Sequence, residues 1–197
     1  RDDVESRGLG DVYKRQQQME QLDEIYATLG RAVKLNKSLL LLSRIENGQY
    51  TEMEDVSVDE ILDELLPDLM DIYEHKQVRL IRKREEQPFI IRCNHSLAQI
   101  LVSNLVKNSL LHNREGGELQ VFTTPASLVI RNTGDAPLDG EKLFRRFYHG
   151  MDGKKDSTGL GLAIARSIAL SSSLKLTYEW QDGMHTFRLV KESKIYC

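Results

Sequence analysis

The chain has 197 residues, 40% of them hydrophobic and 29% charged, with a formal net charge of −3. That length supports one proper core plus an appended helix, and the charge gives no overall basic field for nucleic acid or an anionic membrane surface. Cys93 and Cys197 lie far apart without metal-ligand spacing and are expected as free thiols, and no apolar run reaches the roughly 20 residues of a membrane span.

Residues 1–15, RDDVESRGLGDVYKR, carry neither apolar periodicity nor caps. They resemble translated linker sequence and are expected to be disordered or foreign to the domain, with the natural protein continuing upstream of Gln16. From Gln16 to Asn47 the pattern is helical: Leu22, Ile25, Leu29, Ala32 and Leu39 recur at three- and four-residue steps, with Asn36 in the seam. Leu35, Leu42 and Ile45 widen that face, and Gly48 is a plausible stop. Such a helix needs a partner helix to cover its apolar side. Beyond the loop, Asp55–Val58 is predicted as an edge strand, and Ser57 with Glu60 fits a capping box for a helix to about Glu74, kinked or split by Pro67.

QVRLIRK and FIIRC read as strands, and Asn94 caps a helix from Leu97 to His112. ELQVFTT and SLVIRN are two more strands, joined through Pro125 and Ala126 and followed by a loop and the short turn EKLFRRFY. Residues 149–158 form a polar, glycine-containing lid candidate ahead of a helix from Gly159 to about Leu170. KLTYEW and TFRLV close the chain around Gln181, Asp182 and Gly183. The order predicts an α+β two-layer sandwich: one mixed, largely antiparallel sheet with helices on a single face, preceded by a long bundle helix.

Three segments carry chemistry. In STGLGLAIARSIA, Gly159 and Gly161 open a helix, and glycines there let backbone lie against a phosphate beside the free N–H groups of the first turn; the same pattern also serves plain loop-to-helix packing. In NLVKNSLLHN, Asn104 and Asn108 fall four residues apart among Leu97, Ile100, Leu101 and Leu111, with His112 one turn on, whereas Ser96, Ser103 and Lys107 face water. Buried amides need partners, supplied by the core or by a ligand, and a side-chain carbonyl suits a hard cation such as Mg²⁺. In Asn132-Thr133-Gly134 a strand ends in an amide and a residue without Cβ, which lets a flat ring approach while the amide reads its edge; alone it is also an ordinary turn.

Together these segments resemble the catalytic, ATP-binding domain of sensor histidine kinases, the Bergerat-type fold of the GHKL group. The resemblance implies ATP and Mg²⁺ as cofactors. Asn104 and Asn108 match the N box as catalytic residues, with Asn108 the Mg²⁺ ligand and His112 at the nucleotide edge. Asn132 stands where the family's Asp reads the adenine amino group, Gly134 matches the first G1 glycine, and Ala136 replaces the second. Phe144, Arg145, Arg146, Phe147 and Tyr148 form the F box, and Thr158, Gly159, Leu160, Gly161 and Leu162 the G2 box. Leu111 and His149 stand where the family often has basic residues, so Lys154 and Lys155 of the lid would supply the positive charge. An amide at 132 accepts from adenine N6 without a carboxylate's charge, which implies weaker nucleotide affinity.

LLLLSRIENGQY resembles the end of the second helix of the dimerisation and phosphotransfer bundle. The resemblance therefore divides the chain into 16–50, that helix, and 51–197, the catalytic domain. It implies a homodimer through the bundle, a response regulator as partner, no nucleic acid, a cytoplasmic location for this piece and any membrane anchor upstream. None of His75, His95, His112, His149 or His185 has the phosphoacceptor setting, so the substrate histidine is expected on a first bundle helix outside this sequence. Two alternatives are a non-catalytic nucleotide-binding or dimerisation module and a GHKL-type ATPase. The ATPases place a Glu where this chain has Asn104, an amide unable to take up a proton, which disfavours hydrolysis. Neither His112 nor His149 has a second metal ligand at suitable spacing, and Tyr178 and Trp180 are read as core and surface neighbours on one strand.

Overall fold

The structure, a computed structural model, describes residues 2–148 and 158–192, with side chains from Gln16 onward. Four helices and seven strands follow in the order α1 (Asp2–Glu46), β1 (Glu54–Ser57), α2 (Val58–Ile72), β2 (Arg79–Arg84), β3 (Ile90–Cys93), α3 (His95–Leu111), β4 (Glu118–Thr124), β5 (Ser127–Thr133), α4 (Gly161–Ser171), β6 (Leu174–Gln181) and β7 (Met184–Lys191). The chain divides into two compact units, residues 1–39 and 40–197. Among the described residues no helix is long and apolar enough to cross a membrane.

The first unit is helix alone. α1 begins at Asp2 and not at Gln16; no proline interrupts residues 2–46, and helix propagates more readily than it nucleates. Leu22, Ile25 and Leu29 of the stripe that the sequence pattern marked stand exposed along it, as do Met19, Tyr26 and Val33. In the second unit the end of α1 is packed: Leu42 and Ile45 are only 2% and 5% exposed, and Glu46 pairs with Arg146.

The sandwich of the second unit rests on a five-stranded sheet ordered β2-β4-β5-β7-β6. β2 pairs with β4 in parallel and the remaining pairs are antiparallel. Strand alternation directs three rows of side chains toward the helices: Thr123, Leu128, Leu189 and Leu176, then Val121, Ile130, Phe187 and Tyr178, then Leu119, Asn132, His185 and Trp180. The first two rows are largely apolar, while the third ends the core in polar groups. Tyr178 and Trp180, two residues apart, therefore share one face; the expectation of core and surface neighbours is corrected by the period of two. Asp182 and Gly183, both at positive φ (52° and 72°), turn β6 into β7 as a two-residue hairpin loop requires.

Two other expectations change. A second, two-stranded sheet pairs β1 with β3, so the domain holds more than the one sheet predicted. α2 runs unbroken through Pro67 and is not split; burial of Ile61, Leu62, Leu66 and Leu69 along one face outweighs the lost backbone bond. Ser57 Oγ accepts from the Glu60 amide at 3.3 Å, the half of the capping box that forms.

α2 is tied to β2 by a buried ion pair. Arg82 bonds to Asp59, whose carboxylate also accepts from Thr123 Oγ1 at 2.5 Å and the Phe89 amide at 2.8 Å. Burial alone would raise the Asp59 pKa; the bonds from Thr123, Phe89 and Arg82, with the Arg82 charge, hold it below its usual range. At the far end of α3, the Lys76 ammonium donates to the carbonyls of Leu110, Leu111 and Asn113 at 2.9, 2.5 and 2.9 Å. The Leu110 carbonyl also accepts from the Asn113 amide at 3.2 Å, so Lys76 reinforces the closing turn of α3, where the cation meets the negative end of the helix dipole.

Candidate functional site

Three pieces of backbone meet at the polar end of the sheet: the middle of α3, the start of α4 and the loop after β5. α3 starts on Asn94, whose Oδ1 accepts from the Leu97 amide at 3.3 Å. Leu97, Leu101, Leu105 and Leu110 anchor it in the core at 0–3% exposed. Asn104 and Asn108 lie one turn apart at the border of that face and are half-buried, less enclosed than the sequence pattern implied. Among the described residues, neither side-chain amide takes part in a hydrogen bond, so both are available to a ligand. Ser96 and Lys107 are exposed as expected, and Ser103 is half-buried. His112 is half-buried and ends α3, its amide bonded to the Asn108 carbonyl at 3.0 Å.

α4 starts two residues later than predicted, at Gly161, after Gly159 turns the chain at φ 64°. Glycine adopts that angle without the Cβ clash that most other residues meet there. Leu160 is buried and supplies no side-chain cap, so among the described residues the first amides of α4 have no side-chain acceptor, and they carry the positive end of the helix dipole. A Cβ at Gly161 would lie 3.7 Å from Asn104 Oδ1, which places the first glycine of the helix directly across from the Asn104 amide of α3. Thr158 is half-buried beside them, Leu162 is buried, and the Gly159 carbonyl accepts from the Phe147 amide at 3.0 Å, tying the EKLFRRFY turn to this loop.

Asn132 is 1% exposed. Its Nδ2 donates to the Thr133 carbonyl at 3.2 Å, while its Oδ1 is buried with no donor among the described residues. An acceptor left so is costly unless a ligand supplies the donor, and an exocyclic amine of a flat base is such a donor. Gly134 follows, its amide bonded to the Gly183 carbonyl at 3.0 Å, and any Cβ there would collide with the imidazole of His185. His185 is 5% exposed; its Nδ1 lies 2.9 Å from Tyr178 Oη, which accepts from the Leu138 amide at 3.0 Å. Burial lowers the imidazole pKa, partly offset by the Asp135 carboxylate.

The residues named from sequence thus fall into two groups. Asn104, Thr158, Gly159, Leu160, Gly161 and Leu162 come together, with Asn108 and His112 further along α3. Asn132 and Gly134 sit at the end of the third sheet row. Lys154, Lys155 and the lid from 149 to 157 lie outside the described residues. The sequence reading named His185 only as lacking the phosphoacceptor setting and Tyr178 only as a core or surface neighbour, and gave neither a place in the site; their two-residue alternation with Phe187 and Leu176 is the available signal. Asn104 and Lys107 also line a groove of about 570 Å³ on the other side of α3, against Ile61 and Leu65 of α2.

The family described as histidine kinase-, DNA gyrase B- and HSP90-like ATPase matches residues 94–192. The chain belongs to that family. It is 28% identical over 163 residues to the sensor protein QseC of Salmonella typhimurium, covering 80% of this chain and 36% of QseC. To the sensor protein CutS of Streptomyces coelicolor it is 30% identical over 169 residues, covering 81% of this chain and 40% of CutS. The chain thus spans roughly a third of the length of these relatives. In fold it resembles the Acinetobacter baumannii histidine kinase AdeS, with a TM-score of 0.65 and 18% identity over 80% of this chain and 76% of that one.

Proposed function

We propose that the chain is the ATP-binding catalytic part of a sensor histidine kinase and passes the γ-phosphoryl group of ATP to a histidine on a dimerisation bundle, for relay to the receiver domain of a response regulator. The observation that carries this reading is Asn104 facing Gly161 at the side-chain-uncapped start of α4. There an amide, the free N–H groups of a helix and a glycine without Cβ converge as a triphosphate requires. Asn108, one turn along α3, would hold Mg²⁺ through its amide oxygen, with phosphate and water oxygens completing the shell. Bound Mg²⁺ neutralises charge on the triphosphate. Asn132 Oδ1, lacking a donor, would take the adenine amine, with Gly134 leaving room for the ring. The donor set fits the nucleotide, and Lys154 and Lys155 would add charge at the phosphates.

Transfer to an imidazole suits this site better than hydrolysis. A neutral imidazole nitrogen already carries a lone pair, so the site has mainly to align it and hold the phosphates. Water needs a base, and Asn104 cannot act as one. The bundle helix of residues 16–50 would join a second copy, and any sensor or membrane segment would lie in sequence beyond this chain.

Asn108→Ala is expected to abolish Mg²⁺-dependent ATP binding in calorimetry, and unaltered affinity would overturn the site. Labelled ATP given with a separate phosphoacceptor helix is expected to label that helix. Binding without transfer would reduce the chain to a nucleotide-binding module.

A further inference from the structure

Beneath the loop that follows Asn132, the molecule holds a hydrogen-bonded series that the kinase reading does not use. The Leu138 amide donates to Tyr178 Oη at 3.0 Å, and Tyr178 Oη lies 2.9 Å from His185 Nδ1. The phenolic oxygen accepts from Leu138 and its single proton can point at Nδ1, an arrangement that a neutral imidazole with its proton on Nε2 satisfies. Nε2 is the ring atom that lies against Gly134. One histidine therefore supports the loop at both ends, at Gly134 by contact and at Leu138 through Tyr178.

We propose that His185 is a positioning residue for the nucleotide: in its neutral form it fixes the loop of residues 134–138 beside Asn132, and its protonation loosens that loop and weakens adenine binding. This rests on the nucleotide reading of the site. Protonation puts a donor on Nδ1, so the Tyr178 O–H must turn away and its oxygen, 2.9 Å off, must accept from Nδ1–H as well as from the Leu138 amide. It also places a cation in the sheet row that ends in Asn132, at the position expected to meet adenine. The titratable groups facing the ring are Tyr178 from β6 and Asp135 from the loop after β5; β5 turns the neutral Asn132 toward it, and β6 adds the Trp180 ring at 4.6 Å. Since burial depresses the imidazole pKa, the loss of affinity falls below the ordinary histidine range.

The test measures adenine-nucleotide affinity by calorimetry between pH 7.5 and 5 for the wild type and for His185→Asn, whose Oδ1 replaces the Nδ1 acceptor without titrating. Titration of the nucleotide's own phosphate is common to both and cancels. The wild type should lose affinity with acid more steeply than the variant, and Tyr178→Phe should bind about three- to tenfold more weakly at pH 7.5. Parallel pH profiles for wild type and His185→Asn overturn the proposal and leave the nucleotide site standing; no binding by the wild type at any pH overturns both. Should the variants not fold, the His185 imidazole is titrated by NMR in the wild type with and without saturating nucleotide. By linkage, bound nucleotide must move its midpoint to lower pH, and an unmoved midpoint overturns the proposal.

Discussion

Asn132 concentrates the difference between this chain and the G1 box it resembles. An amide there accepts through Oδ1 and spends its Nδ2 on the Thr133 carbonyl at 3.2 Å. Asn132→Asp would present a charged acceptor to an amine while setting a carboxylate oxygen against that carbonyl. The two effects have opposite signs and separate readouts. Nucleotide affinity is expected to rise by up to about tenfold, since charge-assisted bonds are roughly twice as strong as neutral ones, and the free protein is expected to lose about 1 to 3 kcal/mol in urea unfolding. A variant that gains stability without gaining affinity would place the adenine elsewhere.

At the scale of elements, the tie between α2 and β2 depends on Asp59. With side-chain exposures of 7% for Asp59 and 17% for Arg82, Asp59→Ala leaves a guanidinium largely enclosed and without its counter-charge. A loss of about 3 to 5 kcal/mol is expected by urea denaturation. The folded-state pKa of Asp59 lies below the ordinary value of 3.8, so its stabilisation is fully present above that pH and fades as pH falls through the depressed value. Wild type and Asp59→Ala should therefore converge in stability under strong acid. None of this is legible in the sequence, where Arg82 falls within the strand pattern QVRLIRK and Asp59 between Ser57 and Glu60 of the capping box. Their pairing depends on α2 lying over β2, a tertiary fact. By contrast Ser57, Asn94 and the Asp182-Gly183 turn act through neighbours within three residues, and caps and hairpin could be placed from local chemistry alone. Pro67 shows the reverse: its local penalty is visible in the sequence, whereas the buried face that keeps α2 from splitting there belongs to tertiary packing.

For the whole molecule, the periodicities gave the order of helices and strands and a mixed, largely antiparallel sheet. They missed the separate β1–β3 pair, because nothing in either four-residue strand records which partner it takes. The candidate site was legible where residues recur at helical spacing, as with Asn104 and Asn108. What was not legible is the pairing of distant strands that sets His185 abreast of Asn132, 53 residues apart by their numbering, although Asn132 itself stood out at its strand end. The partition at Leu39 has a physical counterpart: apolar side chains upstream of it stand in solvent, whereas Leu42 and Ile45 are enclosed.

One lysine distant in sequence from α3 governs how firmly the proposed chemistry is mounted. Lys76 grips the last carbonyls of α3, a single turn past Asn108, so the proposed magnesium ligand sits on a beam clamped at its outer end. Replacing the clamp by Lys76→Met keeps the bulk and removes the charge; amide hydrogen exchange should then quicken first in the closing turn of α3. Acylation of the same amine would act alike, making the rigidity of the cradle answerable to a reagent that never enters it.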